Sequence, residues 1–249
     1  MLTVEKRMLQ TPVMYGDALP TGVAKLAVDL LGRRIANGHY LPGEIMPTEP
    51  ALAESLQVSR ATIRDAIKVL SGKGLVRTAR RYGTRVRPVE EWNLLDSDVV
   101  SWHEPGHPRL MTMFIETTEL RIILEPAAAE LAAQRATPAQ IATIVEAAQA
   151  LHPEQDDVQE MFSADCRFHA TLLDATGNGM LRQMRPLIVT MLRVSYDFAV
   201  LQHAVVPSRD GHIRVAEAIA ARRGDIARVE MARMLELNRR DAVSIGARG

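Results

Sequence analysis

The run Val58-Ser59-Arg60-Ala61-Thr62-Ile63-Arg64-Asp65-Ala66-Ile67-Lys68-Val69-Leu70 constrains this chain more than any other stretch. Ser59 is a good N-cap, and Ile63, Ala66, Ile67 and Leu70 recur at helical spacing, so a helix with one face turned inward is predicted. Arg60, Arg64 and Lys68, at i, i+4 and i+8, then share the opposite face. A basic stripe on a helix only about 20 Å long suits the major groove of DNA.

The flanks complete the unit. Thr48 caps a short helix with Pro50 in its first turn and Leu52, Ala53 and Leu56 on its apolar side, and a tight turn at Gln57-Val58 leads into Ser59. Two helices so joined form a helix-turn-helix. Further upstream Val23, Leu26, Ala27, Leu30, Leu31 and Ile35 predict another helix, ended by Asn37-Gly38. Downstream, Gly72 and Gly74 stop the recognition helix. Leu75 to Thr78 and Thr84 to Arg87 alternate like strands, and Arg80-Arg81-Tyr82-Gly83 turns between them as a wing with a basic tip.

Charge separates this surface from an ordinary solvated helix face. From Arg60 to Arg87 there are nine basic residues against the one acid Asp65, although the whole chain balances 30 Lys and Arg against 30 Asp and Glu. Such local concentration is the footprint of a phosphate-contacting surface. The expected partner is double-stranded operator DNA. The expected contact set is Thr48, Glu49, Ser59, Arg60, Thr62, Arg64, Lys68, Arg81, Gly83 and Thr84.

At 249 residues and 47% hydrophobic content the chain can bury two cores. Residues 1–19 read as a flexible arm, 20–88 as the winged helix-turn-helix, 89–108 as a linker, and 109–245 as a helical domain for effector binding and dimerisation. In the linker Trp92, Leu94, Leu95, Val99 and Trp102 alternate with acids before Pro105, Gly106 and Pro108. Helices are expected at Arg109 to Arg135, Pro138 to Leu151, Val158 to Ala175, Met180 to His203, Arg209 to Arg223, and Asp225 (as N-cap after Gly224) to Ala242. The expected fold is mainly α, a winged helix-turn-helix followed by an antiparallel bundle. The lone Cys166 excludes an intrachain disulfide and fits a reducing compartment. With neither a signal pattern nor a run of about 18 apolar residues, a soluble cytoplasmic protein without membrane contact is expected.

Within the bundle, Asp165 and His169 stand at i, i+4 on one helix face, where a carboxylate and an imidazole can share a metal or an anionic ligand. His212 adds a third possible donor. Arg121, among Leu120, Ile122, Ile123 and Leu124, needs an anion, because an unpaired buried charge is prohibitive.

Gly38-His39-Tyr40-Leu41-Pro42-Gly43-Glu44, Pro47-Thr48-Glu49, Leu52-Ala53, Val58-Ser59-Arg60, Ile63-Arg64-Asp65-Ala66, Gly74-Leu75-Val76 and Gly83-Thr84-Arg85-Val86 resemble the GntR superfamily of bacterial transcription regulators. Two positions depart from that pattern. Pro50 stands where a polar or basic DNA-contacting residue is frequent, and Asp65 where Glu is commoner. Glu119-Leu120-Arg121, Leu124-Glu125-Pro126-Ala127-Ala128, Asp165-Cys166-Arg167-Phe168-His169, Gly177-Asn178 and His212 through Gly224-Asp225 resemble the effector (FCD) domain of its FadR subgroup. That resemblance implies a divalent metal, Zn, Ni, Mn or Mg, on Asp165, His169 and His212, and an effector site of Arg121, Asp165, His169, Asn178, His212 and Glu236. The subgroup usually adds a histidine from the last helix. Here Glu236 or Asn238 falls near that place, which implies a more oxygen-rich sphere.

Trp92-Asn93-Leu94-Leu95-Asp96, Asp98-Val99-Val100 and Trp102 are similar to regulators of sugar-acid catabolism, such as galactonate operons. The expectation is therefore a homodimeric repressor on an inverted repeat, released by a small sugar acid such as an aldonate. The alternative reading is a metal-dependent hydrolase fused to a DNA-binding head, with Asp165, His169 and His212 holding the ion.

Overall fold

The computed structural model describes residues 22–104, 107–151, 158–202 and 208–246. The expected N-terminal arm lies outside them. The chain divides at His107 and Pro108 into two compact units, each with its own apolar core.

The first unit opens with α1 (Val23–Ala36), α2 (Glu49–Leu56) and α3 (Arg60–Gly72). Thr48 caps α2 and Ser59 caps α3, each accepting from a backbone N–H in the first turn. Between them Gln57 takes the left-handed conformation that lets so short a turn reverse the chain. Leu31, Leu52, Ile63, Leu70 and Leu75 meet in a core closed to solvent. Each such side chain contributes roughly 1.5–3 kcal/mol by leaving water. Strands β1 (Val76–Ala79) and β2 (Gly83–Val86) pair antiparallel, Val76 opposite Val86 and Ala79 opposite Gly83, one residue later and earlier respectively than the alternation predicts. Ile45 bridges to Arg85, and Met46 N–H donates to the Thr84 carbonyl, so the segment before α2 braces the wing.

The segment expected to be a linker folds back onto this unit. A 3-10 turn (Val89–Glu91) and α4 (Ser97–Ser101) bring Trp92, Val99 and Trp102 into the same core. Trp102 lies flat over α1, donating its indole N–H to Asp29, and its carbonyl accepts from Asn37. Lys73 is held between Asp96 at 2.7 Å and Asp98 at 2.9 Å, and Arg87 is paired with Glu91. With Arg64 on Glu49 and Lys68 on Asp65, four of the nine cations counted on the basic segment are paired with carboxylates.

Gly32 makes this packing testable. A Cβ there would stand 2.5 Å from the Trp102 ring, whereas one at Gly72, also helical, meets nothing within 4 Å. An exposed helical Gly→Ala change gains up to about 1 kcal/mol from propensity, while overpacking a core costs roughly 1–3 kcal/mol. Gly32→Ala should therefore lower Tm and red-shift tryptophan fluorescence, and Gly72→Ala should raise Tm. A rise in Tm for Gly32→Ala would show that Trp102 does not sit there.

The second unit is a helical bundle: α5 (Pro108–Arg135), α6 (Pro138–Gln149), α7 (Val158–Ala175), α8 (Gly179–Gln183), α9 (Arg185–Gln202), α10 (Arg209–Ala220) and α11 (Gly224–Gly246). The longest pairing is α5 against α11, with α7 packed on α5, α6 and α9. Alanines 128, 129, 132 and 133 let α5 approach its neighbours closely, with Phe162, Phe168, Leu172, Met231 and Leu235 filling the space between. Two expectations are corrected. The fourth bundle helix is two, broken at Met184, since Pro186 has no N–H for the Arg182 carbonyl. Asp225 lies inside the first turn of α11, which begins at Gly224. Among the described residues no helix is long and apolar enough to cross a membrane.

Candidate functional site

Two surfaces carry chemistry. On the first unit, Arg60, Arg64 and Lys68 are exposed along α3, and Arg77, Arg80, Arg81 and Arg85 are exposed on the hairpin. Arg64 is steadied by Glu49 at 3.3 Å, which ties the first turn of α2 to the middle of α3. With Arg64 61% exposed, the pair is worth at most about 1 kcal/mol and is easily exchanged for a phosphate or base edge. Lys68 pairs with Asp65 at 3.0 Å. The Ser59 hydroxyl is shared by the Thr62 N–H and the Thr62 hydroxyl at the start of α3. At the wing tip Arg81 and Gly83 have positive φ, which turns the chain tightly and leaves Tyr82 exposed. Thr84 corrects the sequence reading. It is buried with its hydroxyl 3.0 Å from that of Thr78, so it braces the hairpin from inside and presents no side chain outward.

The other surface is internal. Arg121 and Glu125 stand one turn apart on α5, Asp165 and His169 one turn apart on α7, and His212 lies in the first turn of α10. None is more than 3% exposed. Arg121 Nε donates to Glu125 Oε1 at 2.6 Å, and its Nη2 lies 3.1 Å from His169 Nε2. His169 Nδ1 is 2.9 Å from Glu125 Oε2 in a bent contact, with no straighter hydrogen bond. Asp165 Oδ1 is 3.1 Å from both His169 Nε2 and His212 Nε2, which are 3.3 Å from each other. The Phe168 ring meets both imidazoles edge-on, and the Tyr196 hydroxyl is buried near Asp165 without a well-directed hydrogen bond.

Partner chemistry fixes the histidine tautomers. His212 Nδ1 lies 3.0 Å from the Ser208 carbonyl, which only accepts, so that nitrogen carries the proton. His169 Nδ1 faces a carboxylate, which also only accepts. With both imidazoles neutral, both Nε2 lone pairs therefore converge on Asp165 Oδ1, and three acceptors face one another beside the Arg121 guanidinium and the Tyr196 hydroxyl. Such a set fits a cation. Donors about 2.1 Å from one first-row ion stand roughly 3–3.4 Å apart, the spacing found here. Asp165, His169 and His212 form the group that could hold a metal among the described residues.

Electrostatics follow the same contacts. Burial alone would raise the Glu125 pKa, but the charges of Arg121 and His169 outweigh it and hold the carboxyl at about 2. Asp165 likewise, despite burial, is held far below the carboxylate range by hydrogen bonds from His169 and His212 once, with no metal on their Nε2 atoms, those nitrogens carry protons as well. Burial opposes a charge on His169, yet neighbouring Glu125 raises its pKa. Both carboxyl pKa values are lower folded than unfolded, so their stabilisation is complete above about pH 4.5; that of Glu125 is lost as the pH falls to about 2, and that of Asp165 over a range reaching below it. In metal-free protein Glu125 alone should forfeit of the order of 3 kcal/mol across that window. Urea unfolding at pH 7, 5, 4 and 3 measures the slope. Glu125→Gln should flatten it, and an equal slope in both proteins would contradict the assignment.

Three sequence expectations need revision. Glu236 is not in the cluster, because its carboxylate faces solvent, paired with Arg239 and Arg240. The inward positions of α11 are Ala227, Met231, Met234 and Leu235, and Met234 lies against Gly211 beside His212. Glu236 falls one step round the helix from that stripe. Asn178 is exposed, and its side-chain oxygen caps α8 by accepting from Met180 and Leu181 N–H. Arg121 does not lack an anion, since Glu125 supplies one. Glu125 and Tyr196 were missed as members of the cluster, and only Glu125 had a signal, its i+4 spacing from Arg121.

Comparison with known proteins gives a family for each unit. Residues 23–86 match the model for bacterial regulatory proteins of the gntR family, and residues 116–237 match the FCD domain. The galactonate operon transcriptional repressor of Escherichia coli (strain K12) is 34% identical over 169 residues, 67% of this chain and 72% of the relative. The uncharacterized HTH-type transcriptional regulator YieP of the same strain is 30% identical over 214 residues, 84% of this chain and 91% of the relative. A solved structure described as "Lar controls the expression of the Listeria monocytogenes agr system and mediates virulence" has a TM-score of 0.55 at 20% identity, covering 91% of this chain and 99% of that one. At that identity the likeness speaks for fold alone.

Proposed function

Since the chain belongs to the GntR family of bacterial regulatory proteins and carries an FCD domain, it is a DNA-binding transcriptional regulator, and we propose that it represses a sugar-acid catabolic operon. The observation that carries the effector part is the closed cluster of Arg121, Glu125, Asp165, His169 and His212 in the FCD unit. A polyhydroxy carboxylate matches it, with its carboxylate directed to Arg121 and hydroxyls available to the donors around Asp165. The similarity to a galactonate operon repressor supports the same ligand class. A divalent ion on Asp165, His169 and His212 supplies positive charge and open positions for ligand oxygens.

On the other unit Arg60 and Arg64 reach bases or phosphates, supported by Thr48, Glu49, Ser59, Thr62, Lys68, Arg81 and Gly83. One such head reads only a few base pairs, so the active species is a homodimer on an inverted repeat, in the cytoplasm where the operator lies. The effector lowers operator affinity by binding one of two conformations more tightly. A thermal-shift screen of aldonic and uronic acids, with and without divalent metals, tests the ligand class, because a ligand of the native state raises its apparent stability. A shift with aldonates that disappears in His169→Ala supports the reading. No shift with any member of the set, metal present, rejects it.

A further inference from the structure

Glu125 has no part in the expected ligand sets, yet it touches both sides of the buried cluster. Its Oε1 takes the Arg121 Nε–H at 2.6 Å and its Oε2 stands 2.9 Å from His169 Nδ1. It is wholly buried, as are Arg121, Asp165, His169 and His212. One guanidinium against two carboxylates leaves this group with a single negative charge when both imidazoles are neutral. Their neutrality is required whenever their Nε2 lone pairs are donated to a metal. With a divalent ion on Asp165, His169 and His212 the cluster carries a single positive charge.

We propose that Glu125 sets the charge of the effector this cluster accepts, so that the metal-loaded site takes a singly charged polyhydroxy carboxylate and rejects a doubly charged one. The inference rests on the effector reading above. A monoanion brings the cluster to neutrality, and a dianion leaves an uncompensated charge in a closed interior, where such charges are most costly. Without Glu125 the loaded cluster carries two positive charges and the preference moves towards the dianion. Glu125 also directs the proton of His169 to Nδ1, which leaves Nε2 free towards Asp165. It is thus a positioning residue for the metal as well as a charge filter.

The test uses the full-length protein loaded with Zn2+ and two probes with one carbon skeleton, D-galactonate and galactarate, titrated by calorimetry into wild type, Glu125→Gln and Glu125→Asp. Wild type should bind galactonate at least tenfold more tightly than galactarate. Glu125→Gln should shrink that ratio tenfold or more, and Glu125→Asp should restore it. An unchanged ratio in Glu125→Gln, with its helicity intact by circular dichroism, overturns the proposal. Should wild type bind neither probe, the sugar-acid reading fails by itself, and Zn2+ titration of the unliganded proteins decides the role of Glu125. Glu125→Gln should then weaken Zn2+ by roughly 10–100-fold, the usual effect of removing a carboxylate that orients a ligating histidine, with Glu125→Asp near wild type. Equal Zn2+ affinity in all three overturns it.

Discussion

Arg121→Met should destabilise the metal-free protein by about 3–5 kcal/mol, the cost of breaking a buried ion pair from one side. The residue is 3% exposed, and its guanidinium is the cation that holds Glu125 and faces His169. Removing it leaves Glu125 and Asp165 buried with only imidazoles to balance them. Adding Glu125→Met should recover most of the loss, since an apolar pair of similar volume often replaces a buried ion pair at little cost. Denaturant unfolding of the two single variants and the double variant measures the coupling. A cost below about 1 kcal/mol for Arg121→Met would mean that the pair is not charged in the native state.

The Arg60→Ala/Arg64→Ala variant should lose operator binding almost entirely with its fold retained. Both side chains are exposed on α3 and leave the core of Ile63, Ala66, Ile67 and Leu70 untouched. If each reads a base, the combined loss is roughly 2–6 kcal/mol, a factor of about 30 or more in Kd. If either only neutralises a phosphate, the loss is smaller and the salt dependence of binding becomes shallower. Fluorescence anisotropy on operator and random duplexes over a salt series separates the two outcomes. Unchanged operator affinity would remove α3 from the interface.

How much of this was legible in the chain depended on distance along it. Ser59, Arg60, Arg64 and Lys68 declare a helix, its cap and its exposed face within a few residues, and those local signals survived folding. Thr84 did not follow, because which side of a two-stranded hairpin faces inward depends on register, and the strands lie one residue away from the simplest alternation. Pro186 was in plain view and should have broken the fourth bundle helix. Trp92 and Trp102 announce an anchored segment, but that Trp102 is anchored on α1 follows from Gly32 leaving room for its ring, a pairing that spans about 70 residues.

In the buried cluster, i, i+4 spacing makes neighbours of Asp165 and His169, and equally of Arg121 and Glu125. Apolar flanks made Arg121 look isolated when its partner stood one turn away. The approach of α5, α7 and α10, which joins the two pairs to His212, is set by packing of Phe168 and the α5 alanines and has no local signature. Glu236 was assigned by position along α11, whereas the inward stripe through Met231, Met234 and Leu235 decides which side chain looks at His212.

The most direct measurement is the affinity of the full-length protein for its operator in the presence of Zn2+, titrated with D-galactonate and related aldonates, alongside His169→Ala. Wild type should release the operator with at least a tenfold rise in Kd, about 1.4 kcal/mol of coupling, and His169→Ala should stay bound at the same ligand concentrations. An operator affinity unmoved by every aldonate and uronate tried, or an equal release in His169→Ala, would contradict regulation through this cluster.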